Sequence, residues 1–357
     1  MKHWIRLPVC ILLPVSACCL MLRPQIAVRA IANGLSVCAG SILPSLFPFF
    51  VLTNLWISLG YADRLSRRAE PPVRALFHLP GAAASPLLLG ALGGYPVGAQ
   101  TAVTLHSQGL LTKAQAQQAL LFCNNAGPAF IFGVLGYGLF RSAAVGAILW
   151  GIHLGSALLL GFLFRPERTT EANSCMDTEQ AEAPLLPALS RAVTQAGETA
   201  LRVCSFVLFF SVLTGYLQHA VPDGWRSTGW YAVILGSLEL AGGAGLLASS
   251  TLSPAGVFVA AAGLLGWGGL CVHCQTLSVL SSSGLSPKRY LFGKALHGLV
   301  SAAAACLAVP VVFSEASCFS APGIVPDWLS ALPLLPLLLL LPLLLKSSSG
   351  KRGRKRV

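Results

Sequence analysis

Asn124 and Asn125 stand side by side in the run LLFCNNAGPAF, residues 120–130, which is otherwise apolar enough to lie in lipid. An unsatisfied amide in hydrocarbon is costly, so these side chains must face protein, water or a solute. Pro128 donates no backbone hydrogen bond and disturbs the turn before it, while Gly127 lets that backbone unwind. The expected result is a discontinuous helix in mid-membrane. Such a break gathers two amides, freed carbonyls and the positive end of the next half-helix in one small volume, which suits a polar or anionic solute. The plainer alternative is a kinked helix whose asparagines bond to neighbouring helices.

Glu239, in LGSLELAGG, is the one acidic residue within an apolar run that reads as membrane-embedded. A carboxylate at that depth marks a proton carrier or a ligand for a cation or polar solute group. A position at the interface, in plain contact with water, is the alternative. His273 and Gln275 follow the glycine-rich GWGG (266–269), in a place matching the asparagine break. They are read as solute lining or as interhelical hydrogen bonds. His153, alone in the run 143–164, reads as a satisfied interior histidine. Cys271 and Cys274 flank His273 in CVHC, but one C-x-x-C without a second pair is a weak metal signal, so neither metal nor cofactor is expected. No nucleophile–base pair or paired carboxylate stands at hydrolase spacing, so an enzyme is not expected.

These residues sit in a chain of 357 residues that is 55% hydrophobic and only 10% charged, against about 25% charged for a typical soluble protein. Mean hydropathy is +0.72, a membrane composition. Runs near the ~20 residues that cross a bilayer lie near 7–22, 34–59, 116–138, 143–164, 199–220, 256–280, 295–313 and 327–345. The start KHWIRLPVCILLPVSACC resembles a lipoprotein signal ending at Cys18, but the spans that follow favour a retained first helix. Pro44 and Pro48, in LPSLFPFF, imply a bent span. The eleven cysteines fall mostly in apolar runs, where a thiol acts as a small hydrophobe, so no disulfide framework is implied. The net charge of +12 is concentrated beside apolar spans, with six basic residues in the tail 346–357 and four more at Arg64, Arg67, Arg68 and Arg74. That distribution fits cytoplasmic flanks and anionic-lipid contact by the basic tail, and it argues against nucleic acid as a partner.

Two further glycine-rich runs, 81–107 and 229–250, either span or enter and turn back. In the first, Gly93, Gly94 and Pro96, around Tyr95, suit a hairpin tip. Each arm of about eleven residues is ~16 Å long, half the hydrocarbon core. In the second, Gly242, Gly243 and Gly245 take the matching place. The hairpin arrangement leaves more basic residues on the cytoplasmic side. VCAGSILPSLFPFFVLTNL (37–55) lies beside VCSFVLFFSVLTGYL (203–217), and LLGALGGYPVGA (88–99) beside ILGSLELAGGAG (234–245). The expectation is an all-α polytopic membrane protein of about 8–10 transmembrane helices, in two related, inverted halves with two re-entrant hairpins. It forms a single membrane domain over 1–345, with a first half near 24–164, an acidic loop near 165–190, a second half near 191–313 and a last helix near 327–345. The basic tail 346–357 and both termini are expected in the cytoplasm. Duplicated halves with a broken-helix site between them are a common transporter construction.

GLSVCAGSILPSLFPFFVLTNLW (34–56), LGGYPVGAQ (92–100), LTKAQAQQALLFCNNAGPAFIFGVLG (111–136) and GSLELAGG (236–243) together resemble the sporulation integral membrane proteins of the YlbJ type. These belong to the wider group carrying the nucleoside-transporter and ferrous-iron-transporter Gate domain. GSLELAGG also resembles an element of nucleoside carriers, with Ala241 at its threonine position. The resemblance implies a protein of a membrane around the developing spore that moves dipicolinate, a planar dianion, during spore maturation. It makes the Asn124 and Asn125 amides, Tyr95 and half-helix N-termini the donors for its carboxylates, with Glu239 carrying a coupling proton. Candidate solute-binding residues are therefore Gly94, Tyr95, Pro96, Asn124, Asn125, Gly127, Pro128, Glu239, Gly242, His273 and Gln275. The reading is a secondary-type transporter of a small polar or anionic solute. The alternatives are a nucleoside-type carrier and a scaffold of spore formation that does not transport. Further copies of the chain or other spore membrane proteins are candidate protein partners.

Overall fold

A computed structural model of the chain describes residues 3–167 and 184–314. The last expected span, the basic tail and most of the acidic loop lie outside the described residues. All regular structure among the described residues is helical.

Helix α1 (His3–Leu22) gives way to α2 (Pro24–Val37) at Arg23, where the axis turns by 94°. Pro24 stands in the first turn of α2, where its missing amide proton costs no helical hydrogen bond. From α2 the chain passes through a π-helical stretch, Cys38–Ile42, into α3 (Leu43–Ser58) with helical dihedral angles at both junctions. Pro44 would press its ring on the carbonyl four residues earlier, at Gly40, and the wider π turn lies there. Helix α4 (Tyr61–Phe77) exposes Arg64, Arg67, Arg68 and Arg74 and buries Ser66, Val73 and Phe77. It meets the following helical segment at 91°, and the Glu70 carboxylate accepts a hydrogen bond from Gly81 N to hold that corner. A two-faced helix turned across its successor has the form of an interfacial helix.

Two helical hairpins follow the glycine-rich runs. Helices α5 (Ala84–Gly93) and α6 (Val97–Ser107) pack against each other and turn at Gly94, Tyr95 and Pro96. The short α7 (Lys113–Ala119) starts with a capping box between Thr112 and Gln115. It ends in irregular chain over 120–127, and a π-helical segment, Ala129–Leu139, leads to α8 (Ala143–Leu163). The long α9 (Leu185–Ala220) packs along α2 and α3 and is followed by the single turn α10 (Asp223–Arg226). Helices α11 (Gly229–Leu238) and α12 (Leu240–Ala248) form the second hairpin. Helices α13 (Pro254–Trp267) and α14 (Gly269–Leu280) are separated by Gly268, and α15 (Lys288–Ser314) packs along α13. Gly266 lies against His297 and Gly298 there, so small residues let the two backbones approach.

The second tip is not where the sequence put it. It falls at Glu239, and Gly242, Gly243 and Gly245 lie within α12. Glu239 is the N-cap: its two carboxylate oxygens accept from the amides of Ala241, at 2.9 Å, and Gly242, satisfying donors that a helix start leaves unpaired. Gly243 instead allows close packing, since a Cβ there would fall on the Gly236 backbone of the opposite arm.

Among the described residues the span count also falls below 8–10. Among the described residues four helices are long and apolar enough to cross a membrane: Ala143–Leu163, Leu185–Ala220, Pro254–Leu280 and Lys288–Phe313. Counting each bent pair as one span raises the number to six. The run 116–138 is interrupted by the irregular stretch after α7, and the arms of both hairpins, 9 to 11 residues each, fall short of the ~20 that span a bilayer.

Candidate functional site

Both hairpin tips and the irregular segment 120–127 border one cavity of about 230 Å³. Gly94 and Tyr95 come from the first tip, Ala126 and Gly127 from the irregular segment, Glu239 and Leu240 from the second tip, and Cys271, Val272 and Gln275 from α14. Ile42, Leu46, Phe130, Val134, Val203 and Val207 complete an apolar wall. An apolar cavity of ~150 Å³ already accepts benzene, so a solute of one ring fits. Glu239 is the one charged side chain among the described residues that line it.

Glycines set the irregular segment in place. The Cys123 carbonyl oxygen fills the space where Gly90 and Gly98 have no Cβ, and the Leu121 carbonyl does the same at Gly293 of α15. Gly94, at φ 79°, faces Gly127, where a Cβ would come within 3.0 Å of the Gly127 nitrogen. The Tyr95–Pro96 bond is cis. Tyr95 reaches the second helix break, donating its hydroxyl to the Leu265 carbonyl oxygen at 2.7 Å. That break has two successive residues in the left-handed region, Gly268 at φ 89° and Gly269 at φ 83°. Trp267 Nε1 donates to the Ser237 carbonyl oxygen at 3.0 Å, tying the break to the second hairpin.

Of the eleven candidate residues, Gly94, Tyr95, Gly127, Glu239 and Gln275 line the cavity. Asn124 and Asn125 are buried beside it and do not line it. Asn124 Nδ2 donates to Thr276 Oγ1 at 3.0 Å and its Oδ1 accepts from Ala99 N at 3.4 Å, so this side chain joins α6, the irregular segment and α14. Asn125 Nδ2 donates to the Phe122 carbonyl oxygen at 3.0 Å. Pro96 ends the first tip at the start of α6, and Pro128 begins the π-helical segment. Gly242 contributes its amide to Glu239. His273 is buried, with Nδ1 at 2.8 Å from the Tyr290 hydroxyl and its ring 4.2 Å from that of Trp267, centroid to centroid. His153 Nε2 accepts from Ala126 N at 2.9 Å, at the end of the irregular segment.

Lys294 and His297, one helical turn apart on α15, escaped the sequence reading. Lys294 is 1% exposed, and its Nζ lies 3.1 Å from the Asn124 carbonyl oxygen, 3.0 Å from His297 Nδ1 and 3.4 Å from the Tyr95 hydroxyl. His297 Nε2 lies 2.8 Å from the His153 carbonyl oxygen. The available signal was a lysine and a histidine at i and i+3 in FGKALHG, facing the same way at the head of an apolar run.

Residues 39–144 match the Gate family, described as nucleoside recognition. The chain is also 26% identical over 313 residues to the sporulation integral membrane protein YlbJ of Bacillus subtilis (strain 168), covering 78% of this chain and 77% of that protein. No solved structure matches. The Gate match runs from the π-helical turn before α3 through the first hairpin and the irregular segment to the start of α8, the part of the chain that supplies Gly94, Tyr95, Ala126 and Gly127 to the cavity. The chain is thus a polytopic membrane protein with a region that matches the Gate family, similar at moderate identity over most of its length to a sporulation membrane protein.

Proposed function

We propose that the protein is a secondary-type transporter of a small polar or anionic solute, held in the cavity between the two hairpin tips. The observation that carries this is the meeting of both tips with unwound chain around one cavity. Broken helices facing each other at such a space are the usual form of a solute site in carriers. Gly94, Tyr95, Gly127, Glu239 and Gln275 are the residues that touch the solute. The remaining candidates, Asn124, Asn125, Pro96, Pro128, Gly242 and His273, hold that group in position.

We read the two hairpins as re-entrant and the two halves as related. Hairpin, broken helix and long helix occur in that order as α5 to α8 and again as α11 to α15, which supports this. The name of the Bacillus relative supports a place in spore formation, and the YlbJ resemblance implies a membrane around the developing spore. Dipicolinate, implied by the YlbJ resemblance, is one ring with two carboxylates. Beside Glu239 it needs a proton or cation to offset like charge, which suits a proton-coupled carrier. Uptake of radiolabelled dipicolinate into liposomes containing the protein, with and without an inward proton gradient, tests this: gradient-driven accumulation supports it, and equal counts in protein-free liposomes remove this solute. A nucleoside-type solute is the second reading, favoured by the Gate description and by a carboxylate and an amide, Glu239 and Gln275, in one ring-sized cavity. Competition by nucleosides in the same liposomes separates the two, and partner binding without any flux would favour a scaffold.

A further inference from the structure

Three groups surround the Lys294 nitrogen, and each needs a donor. The Asn124 carbonyl oxygen can only accept. The Tyr95 hydroxyl gives its proton to the Leu265 carbonyl at 2.7 Å, which leaves its oxygen to accept from Lys294. His297 Nε2 faces the His153 carbonyl, so its proton is there, and a neutral His297 then presents a bare Nδ1 to Lys294. Three acceptors match the three N–H bonds of an ammonium, whereas a neutral amine has only two. Shifting the proton to His297 gives an imidazolium and an amine with the same total charge. With an ammonium there, the Lys294 and His297 pair carries one positive charge whichever of the two holds the proton. Lys294 makes no ion pair among the described residues, and the Tyr95 ring lies 5.1 Å from Nζ as a further support for the cation.

Charges buried without a counter-ion are costly and persist where polar groups surround them. Here the surroundings are a carbonyl freed by the first helix break, a hydroxyl from the first hairpin tip and an imidazole on α15. Freed carbonyls at helix breaks are also what carriers use to hold a coupling cation. We propose that the Lys294 ammonium is a tethered cation, filling from α15 a monovalent-cation site formed by the Asn124 carbonyl, the Tyr95 hydroxyl and His297. It latches the irregular segment and the first tip to α15, so no alkali cation is needed at this place.

The test uses the full chain purified in detergent and its thermal midpoint at constant ionic strength in choline, sodium or methylammonium chloride. The wild type melts at the same temperature in all three. Lys294→Ala melts ~5 °C or more lower in choline and recovers in methylammonium, which is small enough to enter the vacated space. Lys294→Met, which fills that space without charge or donors, melts low or fails to fold, and it decides the matter if the alanine variant yields no folded protein. Three results overturn the proposal: a wild type stabilised by sodium over choline, a folded Lys294→Ala that ignores methylammonium, or a Lys294→Met that melts with the wild type. Sodium-independent uptake by the wild type is the consequence for transport and rests on the transport reading. The melting result does not, so either can fail alone.

Discussion

The Tyr95 hydroxyl donates to the Leu265 carbonyl oxygen at 2.7 Å across 170 positions of sequence, so the tip of the first hairpin directly meets the second helix break. The same oxygen accepts from Lys294 at 3.4 Å. One phenol therefore links three elements while its ring walls the cavity. Tyr95→Phe keeps the ring and leaves a buried carbonyl and a buried ammonium each short of a partner. A loss of ~1–3 kcal/mol is expected from the thermal midpoint in detergent. A variant that melts with the wild type would show that the hydroxyl holds nothing together.

Glu239 caps α12, and the proposed transport function would give it a second, separable duty as a proton carrier. As N-cap of α12 it needs only an acceptor oxygen, which glutamine retains in part, whereas Glu239→Ala removes the cap at a cost of ~0.5–2 kcal/mol. As a proton carrier it needs an ionisable group, which glutamine lacks. Glu239→Gln is expected to melt above Glu239→Ala and yet to lose gradient-driven uptake as completely. Proton-coupled uptake by Glu239→Gln at the wild-type rate would end the carrier role of this carboxylate.

The arms of the second hairpin offer a paired glycine test. Gly243→Ala places a methyl on the Gly236 backbone and is expected to cost ~1–3 kcal/mol, read as a lower thermal midpoint. Gly245→Ala, in the same helix, meets nothing within 4 Å and is expected to be neutral or to stabilise by up to ~1 kcal/mol through helix propensity. Equal effects from the two substitutions would contradict the close crossing at Gly236.

Asn124, in the first break, and Thr276, two turns into α14, touch at 3.0 Å. In a double-mutant cycle, Asn124→Ala and Thr276→Val are expected to show a coupling of ~0.5–3 kcal/mol in thermal stability. Strict additivity would mean that the two side chains contribute independently.

The break after α7 and the turn at Gly94, Tyr95 and Pro96 were legible because glycine and proline act locally. Pro128 lacks the amide proton that a helix bonds through and Gly127 is free to leave the helical region, and the structure leaves 120–127 irregular. The second tip was misplaced for a related reason: glycine signals either a turn or a close crossing, and Gly243 serves the crossing. Glu239 was legible as an unusual charge, but its capping of two amides two and three residues on is a local geometry that hydropathy does not register. The direction in which Asn124 points depends on Ala99 and Thr276, from distant parts of the chain, and no local pattern encodes it. Lys294 stands immediately before the apolar run 295–313, where a basic residue reads as an ordinary flank. Its acceptors come from residues 170 and 199 positions away as well as from its own helix.

The carbonyls of Leu121 and Cys123 rest directly on the α-carbons of Gly293, Gly90 and Gly98, main chain upon main chain. Side-chain rotation alone does not part these contacts. Opening a route there takes a shift of the irregular segment 120–127 or of the helices it rests on, so the seam yields only to main-chain motion.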